Sequence, residues 1–386
     1  MPEQILLQGK ILGTEEFLLA GSAGGRSARS AGEDMLAGRS QWITLIGEAL
    51  PRALLAELGL ARILLGSSGG GQFLIVLPGE AREPAERFLT AAARQMREMS
   101  GGCVRLIWAF TDNLGDWAVI RRRLNEVLDR RQNAPLAGET GAEDGLPPLF
   151  APHRPVHLSE FDAYFSKELG AKVREAASIG WSPEAPGKVT PGEGKYTWPL
   201  TSNLSPDGIM VARHAAPSDD GKNIAPVQTL ARRAQGRSIW GVLRGDVDSF
   251  GLRLRRVHSI EEHVPLSVLY KQFFAGELEV ICSMPEYWKK VTVIYSGGDD
   301  FAVYGAWDAL IGLAREVQRL FHRFTEENLK EYPGAEGKTI SMAIALAPET
   351  YTPLAAVYEE AGRNLDFAKA ADRDCIYLLG RILEWK

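Results

Sequence analysis

The sequence predicts an α+β fold in which two ferredoxin-like (βαββαβ) palm domains form a pseudo-dimer, with an insert between them. Two observations support this fold class. A Ser-Gly-Gly-x-x-Phe frame occurs twice, at residues 68–73 and 296–301, and each copy lies between two apolar runs. The helical and extended patterns around the two copies also follow in the same order. A repeated supersecondary pattern is stronger support for a fold than either copy alone.

Each repeat opens with an apolar run that predicts a strand ending at a turn. The first run closes at QGKILG (residues 8–13), and the second closes at RGDVDS (residues 244–249). The Gly-Gly pairs that follow predict hairpins, because glycine adopts backbone angles that other residues resist. The first strand and the hairpin therefore supply three strands of each predicted sheet.

Four more elements are predicted in each copy from apolar periodicity: two helices, a fourth strand and a closing helix. In the first copy these elements span residues 36–50, 84–99, 104–110 and 117–131. In the second copy they span residues 266–280, 308–329, 339–346 and 354–368.

The domain organisation follows from the same patterns. We predict a first palm at residues 1–131, a linker and insert at 132–236, and a second palm at 237–386. Within the insert, the Pro-, Gly- and Ala-rich residues 132–155 predict a linker and residues 160–177 a short helix. Residues 181–223 show little periodicity and indicate a few strands at most.

The composition of the chain argues against several classes of protein. The chain has 386 residues, 45% hydrophobic residues and a formal net charge of −5, which suits two domains and not a basic nucleic-acid coat. Its 3 cysteines form no CxxC pair, which argues against a disulfide scaffold or a zinc ribbon. No signal peptide or membrane-spanning run is visible, so a cytoplasmic protein without a membrane partner is predicted.

Adjacent carboxylates mark the second hairpin as a candidate metal site. Asp299 and Asp300 lie at its tip, and Asp246 ends the strand that should neighbour it in a βαββαβ sheet. Such acids repel one another unless a cation compensates, and their hard oxygens suit Mg²⁺ or Mn²⁺. Two such ions could activate a 3′-hydroxyl and stabilise leaving pyrophosphate. Gly297 and Gly298 would let a nucleotide approach the backbone closely.

Structural interpretations of the same residues are weighed beside this one. A Gly-Gly-Asp-Asp sequence can be merely a polar turn, but the matching RGDVD strand end at the required spacing favours a metal site. Lys369, at the end of the closing helix, could contact a triphosphate or could be a solvated lysine favoured by the helix dipole.

The first copy lacks the acids. Lys10 stands where the second copy has Asp246, and Gly71 and Gln72 stand where it has the acid pair. This half cannot assemble the same metal site. It is either a second nucleotide-binding surface or a structural copy that completes the pseudo-dimer.

Four motifs together resemble one known family. They are IWGVLRGDVDSFG (residues 239–251), YSGGDDF (295–301), LAGRS (36–40) and LGRILEW (379–385). The set is similar to the large, polymerase-like subunit of type III CRISPR–Cas effector complexes, and most closely to its type III-A (Csm) branch. The resemblance covers both palms and part of the insert.

The resemblance implies synthesis of cyclic oligoadenylate second messengers from ATP, with two Mg²⁺ or Mn²⁺ ions per site, when an effector complex with guide RNA binds target RNA. Asp246, Asp299 and Asp300 match the catalytic acids, and Val247 joins them in the implied metal-binding set. Ser249, Phe250, Gly297, Gly298 and Lys369 match positions near the donor triphosphate. Ser68, Gly69 and Gly70 match the first-palm hairpin that faces an acceptor ATP.

The chain also departs from that family's usual pattern. No HD nuclease domain is visible, so single-stranded DNA cleavage is not expected, and the zinc-binding cysteines of the insert are missing. No C-terminal helical domain for contact with small subunits follows the second palm. The resemblance is therefore to a compact form.

Two other functions stay open at this point. One is a stand-alone cyclic dinucleotide synthase, which product analysis would separate from a cyclic oligoadenylate synthase. The other is a catalytically silent scaffold or RNA-binding subunit of an effector complex. The intact Asp246, Asp299 and Asp300 argue against a silent subunit, because a silent palm tends to look like the first copy.

Overall fold

The computed structural model describes residues 3–19, 32–133, 161–170, 172–203, 205 and 207–385 of the chain. It confirms the α+β class and the pair of ferredoxin-like palms, each built on a βαββαβ unit. None of the helices in these ranges is both long and apolar enough to cross a membrane.

The first palm forms a four-stranded sheet of order β2-β3-β1-β4 with antiparallel pairs. Its strands are β1 (Gln4–Leu12), β2 (Leu65–Gly69), β3 (Gln72–Pro78) and β4 (Arg105–Asp112). Its helices are α1 (Thr14–Leu19), α2 (Gly32–Glu57), α3 (Arg82–Met99) and α4 (Trp117–Asn133).

The second palm repeats this order as β10-β11-β9-β12 and extends the sheet by a hairpin, β13-β14. Its strands are β9 (Trp240–Val247), β10 (Val291–Ser296), β11 (Asp300–Ala306), β12 (Ile340–Leu346), β13 (Cys375–Leu378) and β14 (Arg381–Glu384). Its helices are α6 (Phe250–Arg255), α7 (Ile260–Lys271), α8 (Leu278–Cys282), α9 (Trp307–Asn328) and α10 (Leu354–Ala370).

Strand β9 lies in the middle of the second palm and is buried on both faces. Leu243 and Val247 pack into the core beneath α7 and α9, whereas Trp240 and Val242 pack on the opposite face with α10. A strand covered on both sides needs a continuous apolar run, which is what precedes Asp246. The rigid centre of the sheet therefore carries the candidate acid.

Strand β1 ends at Leu12, within the segment at residues 8–13 where the strand was predicted to end. The repeat holds in register, because Lys10 pairs with Gln72 as Asp246 pairs with Asp300. Two predicted helix boundaries were wrong. Helix α2 continues through Pro51, and α7 begins at residue 260, where the Ser259 hydroxyl accepts a hydrogen bond from the Glu262 N–H.

The insert contains more regular structure than its sequence indicated. A π-helix (Tyr164–Gly170) replaces most of the predicted helix at 160–177, and a short helix, α5 (Val227–Arg232), precedes the second palm. The indicated strands form a small sheet of order β6-β5-β7-β8. They are β5 (Ser178–Trp181), β6 (Thr190–Pro191), β7 (Tyr196–Thr201) and β8 (Ile209–Met210). Most of the predicted linker at 132–155 lies outside the described residues.

The two palms pack face to face, and their glycine hairpins meet. A Cβ atom on Gly70 would lie 3.1 Å from the backbone nitrogen of Gly298, so the two hairpin tips are in near contact. On one side of this contact the Ser40 hydroxyl donates to the Ile294 carbonyl of the other palm. Beside it, Lys271 of α7 forms an ion pair of 2.6 Å with Glu48 of α2.

The phenylalanine of each repeated frame packs over a glycine of the neighbouring strand. A Cβ on Gly9 would lie 2.1 Å from the Phe73 ring, and a Cβ on Gly245 would lie 2.3 Å from the Phe301 ring. Each pair lies directly opposite in the sheet. The frame thus repeats because the packing repeats.

We expect Gly245→Ala to lower the free energy of unfolding by about 1–3 kcal/mol, because the added methyl overpacks a buried ring. Chemical denaturation of the two proteins measures the loss. Gly251→Ala is the matched control, since a Cβ there meets no atom within 4 Å and the residue is helical. Equal stability of the Gly245 variant and the parent would contradict the packing described.

Candidate active site

The three predicted acids converge at one end of the second-palm sheet. Asp300 begins β11 directly opposite Asp246 on β9. The Val247 N–H donates to the Asp299 carbonyl at 2.8 Å, which ties the hairpin tip to the end of β9. Val247 has a buried side chain, so only its carbonyl could serve as a metal ligand.

Lys369 of α10 contacts the first of these acids. Its ammonium lies 2.6 Å from Asp246 Oδ1, with the lysine and aspartate side chains 33% and 24% exposed. Burial raises the pKa of Asp246, and the hydrogen bond and charge of Lys369 oppose that rise. The lysine is therefore an ion-pair partner of the acid and not a lysine surrounded by solvent.

Too little positive charge surrounds Asp299 and Asp300 to compensate their carboxylates. Burial raises the pKa of Asp299 to about 7, and the carboxylates of Asp300 and Asp246 add to the rise. Burial also raises the pKa of Asp300, while a hydrogen bond of 2.9 Å from the Tyr295 hydroxyl to Oδ2 lowers it. Sequence reasoning did not identify Tyr295, although its position two residues before Gly297 places it beside the hairpin.

The raised pKa of Asp299 predicts a pH dependence of stability. Because its folded pKa of about 7 lies above its ordinary value of 3.8, the folded state keeps a proton that the unfolded state has lost. In divalent-free buffer, the free energy of unfolding should fall as pH rises from about 4 to about 7, by at most roughly 1.4 kcal/mol per pH unit. Denaturation of Asp299→Asn should show a weaker fall over that range, whereas the exposed control Asp366→Asn should keep the parent's slope.

Asp248, two residues after Asp246, is bound by different groups from those that contact Asp246. It is 4% exposed and accepts hydrogen bonds of 2.7 Å from the hydroxyls of Thr339 and Ser341. It also accepts from the Asp374 N–H at 3.0 Å. This carboxylate therefore ties the start of β12 to the loop before β13, and its charge adds to the rise in the pKa of Asp246.

Ser249 and Phe250 follow at the start of α6. Ser249 has a left-handed φ of 58°, and its hydroxyl bonds to the Arg373 guanidinium. The Phe250 ring packs against Tyr270, with ring centroids 4.7 Å apart. Both residues lie beside the acids, and Phe250 also lines a cavity.

Two cavities flank the contact between the hairpins. The Asp300 cavity, of about 220 Å³, is lined by Asp300 and Gly297 together with α2 of the first palm. The Asp299 cavity, of about 240 Å³, is lined by Asp299, Gly298, Phe250 and Ser68 together with α7 of the second palm. Gly69, Gly70 and Lys271 line both cavities.

The two hairpins need glycine for different reasons. Gly69 and Gly70 have φ angles of 150° and 55°, as the prediction required. Gly297 and Gly298 do not have positive φ. Gly297 is needed for space, because a Cβ there would lie 2.4 Å from Asp300 Oδ1, whereas a Cβ on Gly298 would meet nothing within 4 Å.

The donor set fits divalent metal ions by its chemistry. The acids offer hard carboxylate oxygens, and the Lys369 ammonium already occupies one of them as a cation. In the described ranges of the chain, no three Asp, Glu, His or Cys side chains are yet arranged as ligands around one point. A metal ion that took Asp246 Oδ1 as a ligand would displace the lysine ammonium from that oxygen.

Comparisons with known proteins agree with this geometry. A family model described as Cas10/Cmr2, second palm domain, matches residues 239–377. The single-strand-specific deoxyribonuclease Cas10/Csm1 (subtype III-A) of Thermococcus onnurineus is 24% identical over 98% of this chain, which spans 55% of that protein. The corresponding protein of Mycobacterium tuberculosis is 30% identical over 42% of this chain and 20% of its own length.

Solved structures share the fold along nearly the whole chain. A Csm1–Csm4 subcomplex of the type III-A CRISPR–Csm interference complex has a TM-score of 0.75 at 22% identity, covering 99% of this chain and 57% of that one. Csm1–Csm4 cassettes in complex with one ATP and with cA4 each have a TM-score of 0.74 at 20% identity. Each covers 98% of this chain, which spans 55% and 54% of those chains. Residues 239–377 therefore belong to the Cas10/Cmr2 second-palm family, and along nearly its whole length the chain is similar to Cas10/Csm1 proteins of type III-A CRISPR systems.

Proposed function

We propose that this chain is a nucleotidyltransferase that converts ATP to cyclic oligoadenylate second messengers as part of type III CRISPR antiviral defence. The observation that carries the proposal is the convergence of Asp246, Asp299 and Asp300, with a lysine ammonium on one of them. Crystal structures of relatives in complex with ATP and with cA4 support the choice of substrate and product.

The proposed reaction joins the 3′-hydroxyl of one nucleotide to the α-phosphate of another and releases pyrophosphate. Two Mg²⁺ or Mn²⁺ ions, when bound, would supply Lewis-acid activation of the hydroxyl and stabilisation of the leaving group. Asp246, Asp299, Asp300 and the Val247 carbonyl would hold them. Tyr295 fixes the orientation of Asp300 through the bond to its carboxylate.

When a metal ion binds, Lys369 would exchange Asp246 for the triphosphate as its ionic partner. In the structure its ammonium forms an ion pair with Asp246. Once a metal ion takes that carboxylate oxygen, the same flexible side chain is free to contact the triphosphate, for which a compact ammonium is well suited. Ser249 and Phe250, beside the acids, are proposed to border the same triphosphate.

The two cavities suit two nucleotides side by side. One would occupy the Asp299 cavity and the other the Asp300 cavity, with the Gly70–Gly298 contact between them. The open backbone at Gly298 leaves room for phosphate to approach. On this proposal the first palm is a second nucleotide-binding surface, and its Ser68, Gly69 and Gly70 form part of the wall.

The proposed partners are the other subunits of a type III effector complex with guide RNA and target RNA. Relatives of similar fold were crystallised as Csm1–Csm4 assemblies, which supports the association. Binding of target RNA is proposed to activate synthesis. Full activity is therefore expected of the assembled complex and not of the isolated chain.

The test is mass spectrometry of the products formed from each of the four ribonucleoside triphosphates with Mg²⁺ or Mn²⁺. The chain is assayed alone and after assembly with the Csm-type subunits, guide RNA and target RNA of its own system. Cyclic oligoadenylate from ATP alone is the expected product. A cyclic dinucleotide would change the proposal to a stand-alone dinucleotide synthase, and no product from the assembled, RNA-bound complex would indicate a silent scaffold.

A further inference from the structure

A buried ionic cluster joins the two palms beside the hairpin contact. Glu48 Oε2 accepts hydrogen bonds of 2.8 Å from both Arg52 and Ser68, and the Lys271 ammonium lies 2.6 Å from the same oxygen. The Glu48 and Lys271 side chains are 3% and 13% exposed. None of these four residues belongs to the acidic site.

The cluster carries more positive than negative charge. One carboxylate, Glu48, faces two cations, Arg52 and Lys271, and the further charge that acts on Lys271 is the cationic Arg62. Arg62 is itself paired at 3.5 Å with the exposed Asp207. An uncompensated cation is costly to bury, so a site of this kind is suited to an anion.

Lys271 is the cation of the cluster that an anion in the cavities can reach. It lines both cavities, Glu48 and Ser68 line one each, and Arg52 lines neither. An ammonium has three donors, and two of them are directed at Glu48 and at the Ser68 hydroxyl, 3.3 Å away. The third is available where the two cavities meet.

We propose that Lys271 binds a phosphate group of a nucleotide at the junction of the two cavities, without a metal ion. The inference rests on the proposed function and deepens it. The first palm has Lys10 and Gln72 in place of metal-binding acids, and Lys10 lines neither cavity, so a phosphate at their junction would draw positive charge from Lys271. Glu48 and Arg52 act as positioning residues, because they hold the Lys271 ammonium in place.

The test is isothermal titration calorimetry of the folded chain with inorganic tripolyphosphate and with adenosine, both in EDTA. The parent should bind tripolyphosphate. Lys271→Met should weaken that binding roughly tenfold to a hundredfold, as expected for the loss of a hydrogen bond to a charged group. Adenosine should bind both proteins equally, and Lys271→Arg should restore most of the affinity for tripolyphosphate.

Lys271→Met leaves Glu48 paired with Arg52, so the variant should fold, and its thermal unfolding is recorded alongside. Asp299→Asn with Asp300→Asn separates this site from the proposed reaction. That variant should lose synthesis but retain or strengthen metal-free binding of tripolyphosphate, because it removes nearby negative charge. The inference is overturned if the parent binds no tripolyphosphate, if Lys271→Met binds it as the parent does, or if adenosine and tripolyphosphate are lost together.

Discussion

Replacing Asp299 and Asp300 by alanine is expected to abolish cyclic oligoadenylate synthesis, by more than about a thousandfold. Both carboxylates leave the site, so of the proposed metal ligands only Asp246 and the Val247 carbonyl remain. The stability of the fold should be unchanged or improved, because the pKa of Asp299 is raised by burial and by its acid neighbours. Product mass spectrometry and thermal unfolding, measured on the same preparation, check both parts.

The matched control is Asp366→Asn on the exposed face of α10, three residues before Lys369. It changes one negative charge near the site without touching the acids, so synthesis should persist. Collapse of the folded state in the Asp299 and Asp300 variant would show that the acids are structural. Unchanged synthesis in that variant would remove the acids from the mechanism.

Glu48→Gln is expected to lower the free energy of unfolding by roughly 3–5 kcal/mol, because it leaves Arg52 and Lys271 buried without their anion. Lys271→Met should lower the free energy of unfolding by less, because Glu48 keeps one cationic partner, Arg52. Chemical denaturation at neutral pH measures both. The exposed pair of Arg323 and Glu327, with side chains 67% and 57% exposed, supplies the control: Glu327→Gln should cost less than about 1 kcal/mol.

The effect of Glu48→Gln should also depend on pH. The charges of Lys271 and Arg52 hold the pKa of Glu48 at about 2, below its ordinary 4.5, even though burial opposes this. The ionised carboxylate therefore stabilises the folded state fully above about pH 4.5, and this contribution is lost as pH falls towards 2. The difference in the free energy of unfolding between the parent and Glu48→Gln should therefore decrease as pH falls from about 4.5 towards 2. If this difference does not change with pH, Glu48→Gln destabilises the protein through altered packing and not through the lost charge.

The fold could be predicted because its main signals are local and occur twice. The apolar run before Asp246, the Ser-Gly-Gly-x-x-Phe frame and the helices between them fix the order of the elements. Their ends were less predictable. Helix α2 continues through Pro51, and α7 begins at residue 260 and not at 266, because tertiary packing outweighs local preference at such positions.

The candidate site was predictable only where its residues lie in adjacent strands. Strands β9 and β11 are neighbours in any βαββαβ sheet, and this topology alone is enough to bring Asp246 near Asp299 and Asp300. No comparable topological rule predicts which residues of the two palms come into contact. No pattern in α2 or α7 indicates that Glu48 meets Lys271, and nothing local shows that Asp248 accepts a hydrogen bond from Ser341.

The Glu48–Lys271 pair has a consequence for the symmetry of the molecule. The two residues lie on corresponding helices, since α2 and α7 are each the longest helix between the first strand and the hairpin of their palm. In a dimer of identical subunits both halves carry the same residues, so a pair of one acid from the first palm and one base from the second cannot form. Joining two different palms in one chain allows such a pair. Two second palms from separate chains would bring two Lys271 side chains to the contact and no Glu48, and this excess of positive charge favours pairing within the chain over self-association.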